Sequence, residues 1–429
     1  MKNIILLSLI LLLLISASCN TTEPPSNTTI TLKLEDVSCT EAWITLTTAN
    51  IQLPAAITLK QYKPTGDTVT KNIILSNEDS LLFIDSLLPN QTYKFITTIE
   101  QSKNKSNELS VTTLDTTSHN FTFQSWTFGT IGNSVLYDVA IINENNIWAV
   151  GEIYVADTSI NGYTKYNAVH WNGNNWDLKR IPIDLNGYPF YPVIRSVFAF
   201  KENDIWFEAG IHWDGISFKQ IPFNLQWSGN VNKLWGSSSS DLYAVGNNGN
   251  IARYYNGQWS RIETGTDINF RDIYGSINKD NNEVEIIALA SNSGINQRKK
   301  IVRIKDQIVE TLPDSGLADY LSTLWFISGR KYCIGGQGYY ESETFGPVWE
   351  RDDTKPPFHI TTIRGAGLND IALGGSFGLL MHYNGVNWIN YAYITASYFD
   401  VITEVAIKGN TIVAAGFKGI KAVVMIGKR

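Results

Sequence analysis

The chain has 429 residues, of which 43% are hydrophobic, 12% aromatic and only 17% charged, and this length is sufficient for more than one hydrophobic core. Its formal net charge of −6 comes without the clustered Lys and Arg residues that mark nucleic-acid-binding proteins, so nucleic acid is not an expected partner. No Walker-type or GxGxxG motif opens a helix after a strand, and no cofactor is expected.

Residues 1–19 predict a targeting segment. Lys2 supplies the positive start, Ile4–Ile15 the apolar stretch and Ser16-Ala17-Ser18 the small residues before Cys19. The apolar stretch is too short for a spanning helix. The segment resembles a bacterial lipoprotein signal, except that Ser16 stands where that motif usually has Leu. The resemblance implies a lipid-modified Cys19 and a membrane anchor in the bacterial cell envelope, at the outer membrane or cell surface. Cleavage of an ordinary secretory signal is the alternative.

Residues 20–27 are polar and contain Pro, which is typical of a tether. Residues 28–114 then predict a β-sandwich, because seven strand-like runs follow at short spacing. These runs are Ile30–Val37, Ala42–Thr48, Ile57–Tyr62, Thr68–Ile74, Ser80–Ile84, Thr92–Ile99 and Glu108–Leu114.

This segment resembles a fibronectin type III domain. Trp43 lies on the second predicted strand, and residues 88–93 (LPNQTY) match the turn in which that family's Tyr hydroxyl anchors a backbone corner. The resemblance implies a spacer rather than a ligand site. Residues 115–120 (DTTSHN) have the composition of a linker.

Everything after residue 120 is organised around a repeat that is clearest in Val231–Glu263. Four runs rich in β-branched and aromatic residues are separated by turn residues, which predicts a four-stranded antiparallel meander. Asn256-Gly257 joins the last two runs and is a strong hairpin signal, because both residues tolerate the positive φ of a type I′ turn.

Seven copies of the repeat follow at a mean spacing of about 44 residues, which is typical of a β-propeller. Their second strands align at Trp148, Trp206, Tyr243, Ile287, Cys333, Ala372 and Val413. The seventh copy stops one strand short, and Phe121–Phe128 has the pattern of the missing strand. We therefore predict an all-β chain in which a seven-bladed propeller at 121–429 is closed by strand 121–128. The Asn/Asp-Gly turns give it a partial resemblance to kelch- and Asp-box-type propellers, although the Asp-box Ser is absent.

No catalytic residue and no metal site is predicted. His170, His212 and His382 occupy equivalent positions in three repeats, which keeps them apart and precludes a shared metal ion. Cys39 and Cys333 fall in different predicted domains and are interpreted as small buried hydrophobes. Four acidic residues break the repeat symmetry and are interpreted as solvated loop charges: Glu341, Glu343, Asp352 and Asp353.

The connections between second and third strands, and those between repeats, carry the long insertions. Long ordered loops on a rigid scaffold are usually functional. The candidate ligand-binding residues are the aromatic residues of these insertions: Tyr163, Tyr166, Tyr188, Phe190, Tyr191, Tyr391, Tyr393 and Tyr398. The alternative is that these rings only pack together to order the loops.

The sequence favours a lipid-anchored surface protein whose propeller binds an extracellular glycan or protein. A carbohydrate-active enzyme, a glycoside hydrolase or glycosyltransferase with its site in the propeller mouth, is the alternative. A structural component of an envelope assembly is a third possibility.

Overall fold

A computed structural model describes residues 28–101, 103–208, 210–223, 225, 227–294 and 297–429. The predicted signal and tether, including Cys19, lie outside the described residues. The fold is all-β, and the described part contains one short helix, α1 (Ala392–Thr395). Chain contacts divide it into two compact units. Among the described residues, the first comprises 28–37 and Glu41–Thr113, and the second comprises Ser38–Thr40 and Leu114–Arg429.

The first unit contains two antiparallel sheets. Its strands are β1 (Thr29–Val37), β2 (Ala42–Ala49), β3 (Ala55–Tyr62), β4 (Thr68–Leu75), β5 (Asp79–Ile84), β6 (Thr92–Ile99) and β7 (Leu109–Thr112). One sheet has the order β1-β2-β5 and the other β4-β3-β6-β7. Both contribute to one core that includes Ile44, Ile57 and Phe95. The Leu88 N–H donates a hydrogen bond to the Tyr93 hydroxyl at 2.8 Å, which fixes the turn before β6.

The second unit is a succession of small antiparallel sheets. Its strands are β8 (Thr122–Phe128), β9 (Val135–Asn143), β10 (Asn146–Ala156), β11 (Tyr163–Trp171), β12 (Trp176–Lys179), β13 (Ile183–Leu185), β14 (Tyr188–Phe190), β15 (Val197–Lys201), β16 (Asp204–Phe207), β17 (Ile211–Trp213), β18 (Phe218–Gln220), β19 (Val231–Ser238), β20 (Asp241–Gly246), β21 (Ile251–Tyr255), β22 (Gln258–Ile262), β23 (Phe270–Ile277), β24 (Val284–Asn292), β25 (Arg298–Lys305), β26 (Ile308–Leu312), β27 (Leu321–Ile327), β28 (Lys331–Gly336), β29 (Gly338–Ser342), β30 (Ile360–Gly367), β31 (Asp370–Gly375), β32 (Leu380–Tyr383), β33 (Trp388–Asn390), β34 (Val401–Lys408), β35 (Thr411–Lys418) and β36 (Lys421–Lys428).

In the described chain these strands form seven successive sheets and one separate hairpin, β13-β14. Six sheets have four strands, and in the last of them β8 supplies the fourth strand beside β36, with Phe128 opposite Ala422 and Thr122 opposite Lys428. The first strand of each sheet contacts the first strand of the next, and β34 contacts β9. The first and last sheets therefore share a core, in which Leu136 and Ile147 pack with Val413 and Val424.

The turns follow from local chemistry. Asn256 and Gly257 have φ of 51° and 83°, as a type I′ turn between β21 and β22 requires. Asp306 and Gln307 adopt positive φ in the equivalent turn of the next sheet without a Gly. All seven residues used to align the repeats lie on the second strand of their sheet.

Two local expectations are wrong. The fifth sheet has three strands, because residues 347–352 form only isolated bridges through Val348 and Arg351. The insertion at 183–194 contains the β13-β14 hairpin rather than a loop. Residues 115–120, the predicted linker, contact the second unit, since the Thr117 hydroxyl donates a hydrogen bond to the Asn369 carbonyl at 2.6 Å.

Candidate functional site

A buried polar network occupies one repeat position in the second unit. In each copy, the polar residue follows an apolar residue by two positions and precedes another apolar residue. The seven residues are Asp138, Ser196, Lys233, Asp272, Thr323, Thr362 and Glu404. In six of the seven sheets of the described chain, a register shift in the first strand falls immediately before this residue. Such an irregularity changes the direction in which the following side chain points.

These side chains connect neighbouring sheets. Asp138 accepts a hydrogen bond from the Val197 N–H at 2.9 Å, and Ser196 accepts one from the Leu234 N–H at 2.9 Å. The same contact recurs in the later sheets, where the Leu324, Ile363 and Val405 N–H groups donate to Asp272, Thr323 and Thr362. One repeat position therefore satisfies backbone donors that would otherwise be buried without a partner.

Two cations hold the three carboxylates of this network together. Lys233 Nζ lies 2.8 Å from Asp138 and 2.5 Å from Glu404. Arg364, two residues after Thr362, lies 2.9 Å from Asp272 and 3.2 Å from Glu404. Burial raises the pKa of Glu404, while both cations act to lower it. Because every charge is paired and hydrogen-bonded, the network is suited to fixing the sheets rather than to proton transfer.

A cavity of about 210 Å³ lies on the side of the network that faces the turns between first and second strands. Its walls include Val139, Phe198, Trp235, Tyr274 and Ile407, and Lys233 and Arg364 lie at its polar end. Both cations are already paired with carboxylates, so neither is an unpaired charge that would direct a ligand into this cavity.

A larger groove lies on the opposite side, where the long insertions are. Its volume is about 700 Å³. The lining residues are Ile183, Pro192, Glu208, Gly210, Ile211, Gln220, Ile221, Pro222, Phe223 and Val231. Only two of these have polar side chains, Glu208 and Gln220. The groove therefore combines aliphatic walls with one ionisable group.

Glu208 is held in an unusual conformation at this groove. Its φ is +50°, a region that non-Gly residues rarely adopt and that concentrates at functional sites. The Glu208 N–H donates to the Ser196 carbonyl at 2.9 Å, and the Arg195 N–H donates to Glu208 Oε1 at 2.8 Å. Burial raises the pKa of Glu208 to about 7, although the Arg195 N–H and guanidinium oppose that rise. Perturbed carboxyl groups in clefts are candidates for functional roles.

The β13-β14 hairpin borders the groove and presents an apolar face. Ile183 pairs with Phe190 and Leu185 with Tyr188, so these four side chains share one face. Leu185, Tyr188 and Phe190 are 53%, 76% and 49% exposed. The hairpin is attached to the groove because the Asp184 N–H donates to Gln220 Oε1 at 2.9 Å.

The hairpin's entry and exit are fixed by one buried side chain. Asn167 donates from Nδ2 to the Ile181 and Pro192 carbonyls at 2.8 and 3.1 Å and accepts from the Ile181 N–H at 2.7 Å. At the tip, Asn186 and Gly187 have φ of 56° and 86°, as in a type I′ turn. The exposed apolar residues are thus carried on a braced element.

The sequence-predicted site residues do not form one cluster. Tyr188 and Phe190 lie beside the groove, and the Tyr191 ring stacks 3.7 Å from the Arg180 guanidinium. Tyr163 is 37% exposed and packs against Tyr154, whereas Tyr166 is partly buried against the core of the first and last sheets. Tyr393 and Tyr398 are exposed at 78% and 42%. Within the described ranges, no ring contact joins Tyr393 or Tyr398 to the hairpin.

Tyr391 is a correction to the predicted set. It is only 4% exposed, its ring packs on Phe121 and Phe123, and its hydroxyl donates to the His119 carbonyl at 2.5 Å. Tyr391 therefore orders the connection between the last two sheets and offers no surface to a ligand.

The repeated histidines each bind the Asn or Asp of the neighbouring strand. His170 contacts Asn146 at 3.0 Å, His212 contacts Asp204 at 2.9 Å and His382 contacts Asp370 at 2.8 Å. Burial lowers the pKa of both His170 and His382. These contacts fix each sheet locally.

The remaining reactive candidates are also locally engaged. Cys39 and Cys333 are buried and do not form a disulfide with each other, and burial raises the pKa of Cys333 to about 12. Glu341 pairs with Lys331, and Asp352 pairs with Lys355. Among the described residues, no helix has the length and apolar composition needed to span a membrane.

Sequence reasoning missed both Glu208 and the polar network. The network had a visible signal, since all seven copies place a polar residue two positions after an apolar residue and directly before another, from LYDV at 136–139 to ITEV at 402–405. Glu208 had none, because it lies in the short Phe207–Ile211 connection that resembles an ordinary turn.

Comparison with solved structures shows a β-propeller fold. YCF48 bound to D1 peptide is similar with a TM-score of 0.52 and 15% identity, covering 73% of this chain and 99% of that one. Two further similarities are weaker. The WD40 propeller domain of Doa1 has a TM-score of 0.48 at 12% identity, covering 72% of this chain and 97% of that one. The extracellular domain of a protein described as a hybrid two-component system of B. thetaiotaomicron has a TM-score of 0.33 at 11% identity, covering 93% of this chain and 64% of that one. No family model and no curated protein matches the chain.

Proposed function

We propose that this chain is a lipid-anchored surface protein of the bacterial envelope that binds an extracellular protein partner through its propeller. In this proposal Cys19 carries the lipid and the first unit is a fibronectin type III-like sandwich that acts as a spacer. The seven sheets of the second unit are the blades of a propeller closed by β8. The pairing of β8 with β36 and the contact between β34 and β9 support the closed arrangement.

The observation that carries the proposal is the exposed apolar face of the β13-β14 hairpin beside the groove. Leu185, Tyr188 and Phe190 form a braced apolar surface of the kind that marks protein-interaction sites. A glycan site would need several polar groups to bind sugar hydroxyls, whereas the described residues that line the groove offer only Glu208 and Gln220 among apolar walls. Its chemistry therefore favours a protein over a glycan.

The comparison with YCF48 is compatible with this proposal, since that propeller is described in complex with a peptide. The enzyme alternative lacks comparable support. The three carboxylates that converge in the second unit, Asp138, Asp272 and Glu404, are each paired with Lys233 or Arg364.

The test is site-specific photo-cross-linking in native cells. A photoreactive amino acid replaces Tyr188, and a matched variant carries it at Ile308, which is 72% exposed on the opposite, short-turn side of the fourth sheet. We expect one protein adduct from position 188 and none from 308. The purified adduct partner should then bind wild-type protein and lose affinity on Tyr188→Ala.

A glycan array probed with the same protein provides the opposing outcome. Array binding that depends on Tyr188, with no protein adduct at position 188, would show that the ligand is a glycan. Equal cross-linking from positions 188 and 308 would show that the hairpin is not the binding surface.

A further inference from the structure

We infer that the groove at Glu208 is a pocket for a basic side chain, Lys or Arg, of the protein partner. This inference rests on the proposed function, because the partner supplies the side chain. It adds a charge requirement that the exposed hairpin alone does not impose.

The first argument is that Glu208 is a carboxylate without a cation. The buried carboxylates of the second unit lie within salt-bridge distance of Lys, Arg or His, as Asp138 does with Lys233 and Asp204 with His212. In the described part of the chain, no Lys, Arg or His side chain forms a salt bridge with Glu208. Its one side-chain hydrogen bond is to the Arg195 N–H.

The charged groups near Glu208 do not form an ion pair with its carboxylate. The Arg195 guanidinium lies 5.0 Å from the centre of the Tyr137 ring and acts on Glu208 only at longer range. On the hairpin, the Asp184 carboxylate accepts a hydrogen bond from the Gly187 N–H at 2.8 Å. A cation from outside the chain is therefore the missing partner of Glu208.

The second argument is the shape and chemistry of the walls. Ile183, Ile211, Ile221, Phe223 and Val231 surround the carboxyl group with apolar surface. Lys and Arg carry long apolar stems that pack on such surface while the charged end reaches a polar group. A small metal ion would need several oxygen ligands, and among the described lining residues only Glu208 and Gln220 supply side-chain oxygens.

The third argument is that the backbone holds the carboxyl group in place. Glu208 keeps φ at +50° because its N–H is bound to the Ser196 carbonyl, and Ser196 is itself a member of the buried polar network. Strain held by the surrounding structure is a feature of preorganised binding sites.

The inference is tested with the full chain in detergent and fluorescent heptapeptide pools whose central residue is fixed as Arg, Lys, norleucine or Glu and whose flanks are random. We expect the Arg or Lys pool to bind at least about tenfold more tightly than the norleucine pool, as hydrogen bonds to a charged group predict. Glu208→Gln should remove this preference, because the amide still accepts the Arg195 N–H but carries no charge. The matched control is Glu263→Gln, which removes an exposed carboxylate on the same side of the second unit.

A pH titration of wild-type protein provides a second readout that needs no variant. Affinity for the basic pool should rise about tenfold between pH 6 and 8, as the ionised fraction of a group with pKa near 7 rises from about a tenth to about nine tenths. The norleucine pool should show no such rise.

Equal binding of the Arg and norleucine pools overturns the inference, as does a preference that persists in Glu208→Gln. Binding by no pool also overturns it. The proposed function stands or falls separately on the cross-linking at position 188, so a protein adduct without basic preference refutes only the charge requirement.

Discussion

Replacing Lys233 by Met tests whether the polar network holds the second unit together. The substitution keeps the length of the side chain and removes one of the two cations. Asp138 loses its only cation and retains Ser196 and the Val197 N–H, whereas Glu404 keeps Arg364. The side chains of Lys233 and Asp138 are 12% and 2% exposed, so solvent does not replace the lost partner.

Leaving a buried charge unpaired costs about 3–5 kcal/mol, and we expect Lys233→Met to lower the free energy of unfolding by that amount at pH 7. The control is Lys305→Met, which breaks the ion pair with Glu283 whose side chains are 67% and 59% exposed. Exposed pairs contribute about 1 kcal/mol or less.

The loss of unfolding free energy in Lys233→Met should be smaller at low pH than at neutral pH. Burial already raises the pKa of Glu404 in the folded protein. A carboxyl group whose pKa is higher in the folded than in the unfolded state stabilises the fold at low pH, and this stabilisation is lost as the pH rises through the folded-state pKa. Removing Lys233 raises the pKa further. The deficit of the variant should therefore shrink as pH falls below neutral.

The assay is urea unfolding of the full chain followed by tryptophan fluorescence, because 12 of the 13 Trp residues lie after residue 113. A loss within about 1 kcal/mol of that in Lys305→Met would refute the reasoning. A deficit that grows on acidification would refute it as well.

Four further predictions concern the anchor, the last sheet and the aromatic residues. Cys19→Ser should abolish fatty-acid labelling and release the protein from membranes, whereas unlabelled wild-type protein would contradict the anchor. Deleting Phe121–Phe128 should destabilise the whole second unit, because β36 loses one of its two partner strands; a truncated chain that melts like the parent would rule this out. Tyr188→Ala should weaken partner binding by about 2 kcal/mol and change stability by no more than about 0.5 kcal/mol. Tyr391→Ala should lower the free energy of unfolding by about 3 kcal/mol and leave partner binding unchanged, because Tyr391 is buried. Affinity and melting temperature measured on both variants would refute these roles if the two variants behaved alike.

Much of the local structure could be predicted because its causes are local. Alternating apolar residues and the Asn256-Gly257 turn define strands and hairpins within a few residues. The same reasoning overlooked the Asn186-Gly187 hairpin, although the turn pair was present, because its flanking runs have only three residues each. It also predicted a fourth strand in every copy of the repeat, whereas the fifth sheet of the described chain has three strands and only isolated bridges at Val348 and Arg351.

The candidate site shows where local reasoning ended. Tyr391 and Tyr393 are two residues apart in one aromatic-rich connection, yet one is 4% exposed and the other 78%. The difference arises because the Tyr391 hydroxyl reaches the His119 carbonyl, from a segment 272 residues earlier in the chain. The residues adjacent to Tyr391 in the sequence do not indicate that contact.

The sequence by itself determined the all-β character of the chain and the repeat that underlies the propeller, since both depend on side-chain alternation and turn chemistry over short stretches. Only the tertiary structure decided which charges meet. Lys233 pairs with residues 95 and 171 positions away, and Arg364 with one 92 positions away. Only the packed sheets bring these residues together, and burial then makes their pairing, and the lack of a partner at Glu208, energetically important.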